Sequence, residues 1–405
     1  MSYSDLPQDY RDTIDRYINL FQWIGIDFVG QSKSYLNLNN GKLILFCTVF
    51  YPFVLGQFSL IFRIRADNFM ETVRNLPVCL LMFQDIVKMA VALYRRSEIR
   101  NMILEVGELW PRELETGERQ ALALKSWLKR TKMPFEIFYI FGQMTLILYE
   151  VIPFTVSFFN ICKGVDVYLF PLQPTYFWNI NSLFTYVVTY LWQVAITLPC
   201  VLCLYLPFNL TIMVMTTNVS ALFRLLQVDL QYAIKLRYED RKLRNVSDPV
   251  SFEEVKRIVA KHQRVLRIAD ELSTLFGLVI FIHVVFAALE ICFYGFLSIA
   301  YGGLAATISN IMASLNVVVT IFLLSLSGQF LCDTSSLVAD AAYQSHWYES
   351  DEEVKKLILI IMIRAQRPCY LSTLGFSQLT LETFSKIMSS AWTYFSLLIQ
   401  VYKES

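Results

Sequence analysis

Charge is scarce in this chain of 405 residues. Asp, Glu, Lys and Arg together make 17% and hydrophobic residues 55%, against about 25% charged in a soluble domain. One large soluble core is therefore excluded. Histidine is scarcer still. His262, His283 and His346 lie far apart in the sequence, so no metal site can be read from them. There is no Gly-rich phosphate loop, no His-Glu-x-x-His and no nucleophile elbow, which removes the usual routes to an enzyme and implies no cofactor. A nucleic-acid role is excluded by the basic residues, which hug the apolar runs. The start, Met-Ser-Tyr-Ser-Asp, has neither a basic region nor an early apolar run, so the first span is expected to insert as a signal anchor. No internal repeat of broken helices appears, which weighs against a secondary transporter. The eight cysteines do not form a disulfide framework. Most lie in apolar runs, Cys332 and Cys369 fall on the expected cytosolic side, and only Cys162 sits in an external loop. Cys200-x-x-Cys203 lies inside a span beside Pro199 and reads as two plain buried thiols.

What is present is aromatic and apolar: 31 Phe, 22 Tyr and 7 Trp, with the apolar excess in separate runs of about 20 residues, the length of a membrane span. Seven spans are predicted, at Lys42–Phe62, Asn75–Tyr94, Pro134–Ile161, Ser182–Leu206, Leu275–Ile299, Asn310–Phe330 and Gln378–Gln400. The fold class is an all-α membrane protein. Lys and Arg in the alternating loops number 27 on one side and 5 on the other, and 16 against 5 without the long 207–274 connection. The rich side is the cytosol, so the N-terminus is expected inside and the C-terminus outside. That is the reverse of a G-protein-coupled receptor, which weakens the metabotropic alternative. The sequons at Asn209, Asn218 and Asn245 then fall in a span or on the cytosolic side, where no glycan is added.

The chain divides into a 1–41 cytosolic segment, spans one to four over 42–216, helical extensions over 217–274, spans five and six over 275–330, cytosolic anchor helices over 331–377, and a last span with a short tail over 378–405. Ile14, Tyr17, Ile18 and Phe21 share one face of a helix over Tyr10–Ile26, which fits a helix lying in the inner interface. Val255, Ile258, Val259, His262, Val265, Leu266, Ala269 and Leu272 form an apolar stripe after a capping box at Ser251-x-x-Glu254. It packs within the chain or at a subunit interface, with His262 a satisfied interface residue. A second box, Ser350-x-x-Glu353, opens a helix from Glu352 to Gln366, stopped by Pro368.

Ionisable groups inside spans are costly. Asp85 and Lys88 are three apart and can pair on one face. Glu150 and Glu290 have no near partner and are left open between a hydrated cavity, Lys88 and each other. In the last span Lys386, Ser389, Thr393, Ser396 and Gln400 draw a polar line down one face. Such a line either holds helices together or borders water.

The C-terminal third resembles the insect odorant receptor family. The residues that carry the likeness are Tyr343-Gln-Ser-His-Trp-Tyr348, then Leu359 to Pro368 with its Arg364-Ala-Gln-Arg-Pro, then Thr383-Phe384 and Thr393-Tyr to Gln400. The style is that of moth and butterfly receptors. The resemblance implies the tuning subunit of an odorant-gated, non-selective cation channel in the plasma membrane of olfactory neuron dendrites. Four subunits would surround one pore, the shared co-receptor completing a heterotetramer. The chain does not resemble the co-receptor, which has a longer insertion between spans four and five. Gustatory receptors are the related alternative, and Val401 departs from their pattern. The likeness places the gate at Leu397 and the hydrophilic pore position at Gln400, with Thr393, Tyr394 and Val401 beside them. It places a small hydrophobic volatile in the outer half of the bundle, near Leu81, Met82, Leu146, Tyr149, Glu150, Phe154, Tyr186, Tyr190, Gln193, Met312, Leu315 and Asn316. Membrane lipid would surround the whole.

Overall fold

The computed structural model describes residues 2–29, 38–63, 69–112, 118–165, 168–172, 178–180, 182–244, 252–300 and 303–404. Their regular structure is helical: α1 (Gln8–Phe21), α2 (Leu38–Arg63), α3 (Phe69–Tyr94), α4 (Arg96–Glu108), α5 (Glu118–Cys162), α6 (Leu183–Pro199), α7 (Leu206–Arg244), α8 (Phe252–Ala300), α9 (Leu304–Tyr343), α10 (Glu352–Ala365) and α11 (Leu381–Glu404). A π-helical turn, Cys200–Tyr205, joins α6 to α7 without a break. Six helical stretches are long and apolar enough to cross a membrane. The seventh is α11, whose 24 residues reach about 36 Å at 1.5 Å per residue.

Each expected span falls on a helix, but the helices overrun the bilayer. With 45 residues in α5, 49 in α8 and 40 in α9, each exceeds the roughly 20 that a membrane requires. The surplus lies at the end of the bundle that carries α4 and α10, called the lower end here. The stretch from 95 to 133, expected as a loop, is largely helical: α4 buries Ile99, Met102, Ile103 and Val106, and α5 begins at Glu118. Charges between those apolar rungs hide them from a search for span-length runs.

The core is built on α7. From Leu204 to Leu226 almost every side chain is buried, including Asn209, Thr216 and Asn218. Several of the polar groups on this stretch find partners along and across helices, though Asn209 Nδ2 has none among the described residues. Asn218 donates to the Thr13 hydroxyl at 2.9 Å, Trp127 donates to the Thr217 carbonyl at 3.1 Å, and Gln227 donates to the Thr334 carbonyl at 2.8 Å. α1 packs on this centre. Tyr10, Ile14, Tyr17, Ile18 and Phe21 are all buried, and a side chain of that kind contributes about 1.5–3 kcal/mol when fully covered. The apolar face of α1 is thus spent on protein rather than on lipid. The helix ends at Phe21, earlier than expected, in a 3₁₀ turn closed by Gly25 at φ 86°.

The stripe on α8 packs within the chain. His262 is buried there against the Phe223 ring, but its Nε2 finds no hydrogen-bond partner among the described residues. The expectation of a satisfied histidine is corrected in that respect. Burial, then the nearby Arg364 charge, pushes its pKa down to about 4. Arg264 bonds Glu105 at 3.2 Å and also pairs with Glu108, tying α4 to α8, and Lys261 meets Asp229 at 3.0 Å. These half-exposed pairs contribute up to about 1 kcal/mol each. α10 starts after Asp351 with no side-chain cap, so the Ser350 box does not form. A 3₁₀ turn at Trp347–Glu349 precedes it, and Glu352 turns to Lys355 at 2.9 Å. Ser251 lies outside the described residues.

The entry to α11 is held tightly. Leu379 donates to the Leu371 carbonyl at 2.8 Å, and Thr373 donates to that of Ser377 at 2.9 Å. Gly328 of α9 makes this approach feasible, since a Cβ there would sit 2.2 Å from the Leu379 carbonyl oxygen. The turn fills residues 377–380, so α11 begins three residues later than expected.

Candidate functional site

In the half of the bundle away from α4 and α10, the helices part around a cavity of ≈160 Å³. An engineered apolar cavity of about 150 Å³ holds benzene, so this space suits one ring or a short chain. Its walls are largely apolar and aromatic: Phe50 and Phe53 of α2, Leu81 and Met82 of α3, Leu146 and Tyr149 of α5, and Tyr205 and Tyr294 opposite. Asp85, Thr145, Glu150, Thr197 and Asn316 supply the polar atoms. Pro199 stands where α6 gives way to the π-helical turn. Such turns recur at functional sites. Here it brings Cys200, Val201 and Tyr205 into the wall.

Six of the twelve residues expected near a ligand line this cavity: Leu81, Met82, Leu146, Tyr149, Glu150 and Asn316. Phe154, Tyr186 and Tyr190 stack instead with one another and with loop residues, Tyr168 lying 4.8 Å and Phe170 5.0 Å from the Tyr186 ring. Gln193 donates to the Leu172 carbonyl at 2.8 Å and so fastens that loop. Met312 is half-buried off the cavity and Leu315 is exposed. The difference on α6 is one of depth: the cavity meets this helix only from Ile196 onward, and the buried Gln193, Tyr190 and Tyr186 lie about one to three turns before Thr197 on the same face. The sequence reading also omitted Phe50, Phe53 and Tyr294. Nothing in the apolar runs marked them. A second cavity of ≈130 Å³ adjoins the first, sharing Val78, Tyr149, Leu172 and Tyr294.

The buried ionisable groups find definite neighbours. Lys88 Nζ lies 3.8 Å from Asp85 Oδ1 and 4.1 Å from the Tyr205 ring centre. Gln84 donates to Glu290 at 2.5 Å, and its amide oxygen meets His283 Nδ1 at 2.6 Å. Glu150 receives the Thr197 hydroxyl at 2.6 Å, while the Tyr190 hydroxyl donates to its backbone carbonyl. The two glutamates, left open in sequence, thus meet different partners and not each other.

α11 buries Ile387 and Ala391 and sets Phe395 beside Gly295, where an added Cβ would come 3.5 Å from the ring. Its other side is uncovered. Lys386, Ser389, Thr393, Ser396 and Gln400 are exposed along it, with Tyr394, Leu397 and Val401 beside them. All five residues assigned to a pore therefore lie on the uncovered part of one helix.

A family model described as 7tm Odorant receptor matches residues 68–392. Odorant receptor 9a of Drosophila melanogaster is 26% identical over 323 residues, 77% of this chain and 77% of that protein. Odorant receptor 49a of the same fly is 30% identical over 147 residues, a match that spans 36% of this chain and only 37% of that relative. The solved olfactory receptor OR5 of Machilis hrabei, in complex with eugenol, superposes with a TM-score of 0.83 at 14% identity, covering 97% of this chain and 100% of that one. At that identity the likeness is one of fold, and the fold has seven membrane helices.

Proposed function

The chain belongs to the 7tm odorant receptor family, and from that premise we propose that it is the odorant-binding subunit of a ligand-gated, non-selective cation channel. It is a multi-pass membrane protein of the insect odorant receptor type. The observation that carries the channel reading is the uncovered polar face of α11. Five polar side chains at helical spacing are costly against lipid, and several copies of α11 gathered about an axis would border water with them. Leu397 is the gate in this reading, Gln400 the hydrophilic ring beyond it, and Thr393, Tyr394 and Val401 their neighbours.

The ≈160 Å³ cavity is the odorant site. Aromatic and aliphatic walls with few polar groups bind a small volatile by shape and apolar burial. Eugenol, the ligand of the Machilis receptor, is a molecule of this general kind. Odorant binding favours the open arrangement of α11 because the ligand contacts that arrangement better. The other subunits of a tetramer are supplied by the shared co-receptor. Leu359, Ile360 and Ile363, exposed on the outer side of α10, support an assembly surface at the lower end. The lower end is cytosolic by the placement of Lys and Arg, and the site of action is the dendrite membrane of an olfactory neuron.

The test is expression with the co-receptor in cells whose G-protein signalling is blocked. Fast inward cation current on exposure to a volatile panel is expected. Responses that vanish with the block would favour a metabotropic receptor instead.

A further inference from the structure

We propose that the cavity selects small volatiles that carry a hydroxyl group, alcohols or phenols, and that the Glu150 carboxyl accepts the hydrogen bond from that hydroxyl. This rests on the reading of the cavity as the odorant site. The argument starts from which polar atoms at the wall are already engaged. The Thr145 hydroxyl donates to the Phe141 carbonyl at 2.9 Å. The Thr197 hydroxyl is directed at Glu150 Oε1, 2.6 Å away, and at the Gln193 carbonyl, 3.1 Å away. Both threonine donors on the wall thus point at protein. Glu150 is more than nine-tenths buried, at 7% exposure. Its second oxygen, Oε2, has no hydrogen-bond partner among the described residues, and the residue lines the cavity. Asp85, also 7% exposed, lines the cavity too. Among the described residues its Oδ1 is likewise without a hydrogen bond, but Lys88 Nζ lies 3.8 Å from it as a counter-charge, which Glu150 lacks.

The asymmetry is chemical. A ligand hydroxyl can donate to Glu150 Oε2, whereas an ether or hydrocarbon of the same outline leaves that oxygen bare in an apolar space. A buried acceptor without a donor is costly, and a site built around such an acceptor rejects the analogue that lacks the donor. The apolar remainder of the ligand lies against Phe50, Phe53 and Leu81. At ≈160 Å³ the space takes a ring or short chain of about the size of benzene plus a small substituent.

Calorimetry on the full chain in lipid nanodiscs tests this with matched pairs: benzyl alcohol against benzyl methyl ether, and 1-hexanol against methyl pentyl ether. Each alcohol is expected to bind at least about tenfold tighter than its ether, the effect of one hydrogen bond to a carboxyl. Glu150→Leu should erase that ratio while ether affinity holds within roughly threefold. Should Glu150→Leu not fold, Glu150→Gln decides, since its amide N–H turns a donor into the cavity and the ether should gain on the alcohol. Equal affinities within the wild-type pairs, no binding of either member, or a ratio unchanged by these substitutions would overturn the proposal. Binding is read without ion flow. An alcohol preference in a chain that gives no odorant current would sink only the channel reading, and a conducting receptor with no such preference would sink only this inference.

Discussion

The uncovered sides of α5 and α11 are written in different chemistry. On α5 the exposed rungs are Met133, Ile137, Ile140, Met144, Ile147, Val151, Phe154 and Phe158, an unbroken apolar stripe with the period of a helix. On α11 a polar line of Lys386, Ser389, Thr393, Ser396 and Gln400 runs down the exposed side, with Trp392, Tyr394, Leu397 and Val401 exposed beside it. The stripe on α5 spans about 38 Å at 1.5 Å per residue and begins one residue after the exposed Lys132. That is the signature of a surface meant for lipid. The side on α11 has no such use. Its neighbour in the membrane is water, another subunit, or both.

The largest effect that would sharpen this contrast comes from placing the same charge on each helix. Ile140→Asp should cost about 2.5–3.5 kcal/mol of membrane insertion and remove most receptor from the surface, as read by surface biotinylation. Ser396→Asp should leave surface expression intact and alter cation conductance. Equal losses of surface protein at both positions would break the comparison. Next in size is Gly328→Val. It forces side-chain atoms onto the Leu379 carbonyl, where even a Cβ would lie at 2.2 Å, and overpacking of this kind costs about 1–3 kcal/mol. Because the strain falls at the foot of α11, odorant current should fall more than surface expression.

A smaller change is expected at the gate. Leu397→Ser should raise basal current several-fold in the co-expressed channel, since a hydroxyl wets where a leucine excludes water. An unchanged closed-state conductance would move the gate elsewhere on α11. At the cavity, Leu146→Phe adds bulk to a space of ≈160 Å³. It should shift half-maximal odorant concentration upward by roughly tenfold without changing unitary conductance.

The smallest effect lies at the lower end. His262 has its pKa pushed down to about 4 from an ordinary value near 6.5. The unfolded chain therefore takes up the proton first as pH falls. Stability is intact above about pH 6.5 and drains away toward pH 4, with about 1 kcal/mol lost by pH 5.5. Melting curves at pH 7.5 and 5.5 should show that acid loss, and His262→Phe should reduce it.

The sequence disclosed the parts of the molecule whose physics is local. Seven spans are legible because lipid demands about 20 consecutive apolar residues, and the Asp85–Lys88 pair is legible because three residues bring two side chains onto one helix face. The polar line on α11 was equally plain. Where meaning depends on what lies across the bundle, the reading thinned. Ile14, Tyr17 and Ile18 look alike whether they meet lipid or α7. Tyr186, Tyr190 and Gln193 are on the buried face of α6 as expected, but the cavity reaches that helix only from Ile196 and Thr197 onward, a depth that an apolar run does not mark. Phe50, Phe53 and Tyr294 reach the cavity from helices whose apolar runs give no sign of which side faces in.

The most direct measurement is the water accessibility of α11 in the assembled receptor. Cysteine is placed singly by Ser389→Cys, Thr393→Cys and Ser396→Cys, and on α5 by Ile140→Cys and Ile147→Cys. A charged thiol reagent is applied with and without odorant, the parent chain setting the background of its own eight cysteines. The three α11 positions should be modified faster in the presence of odorant, with current changing as they react, while the two α5 positions stay inert. Modification of the α5 pair at the same rate, or inert positions along α11, would contradict a water-lined seventh helix.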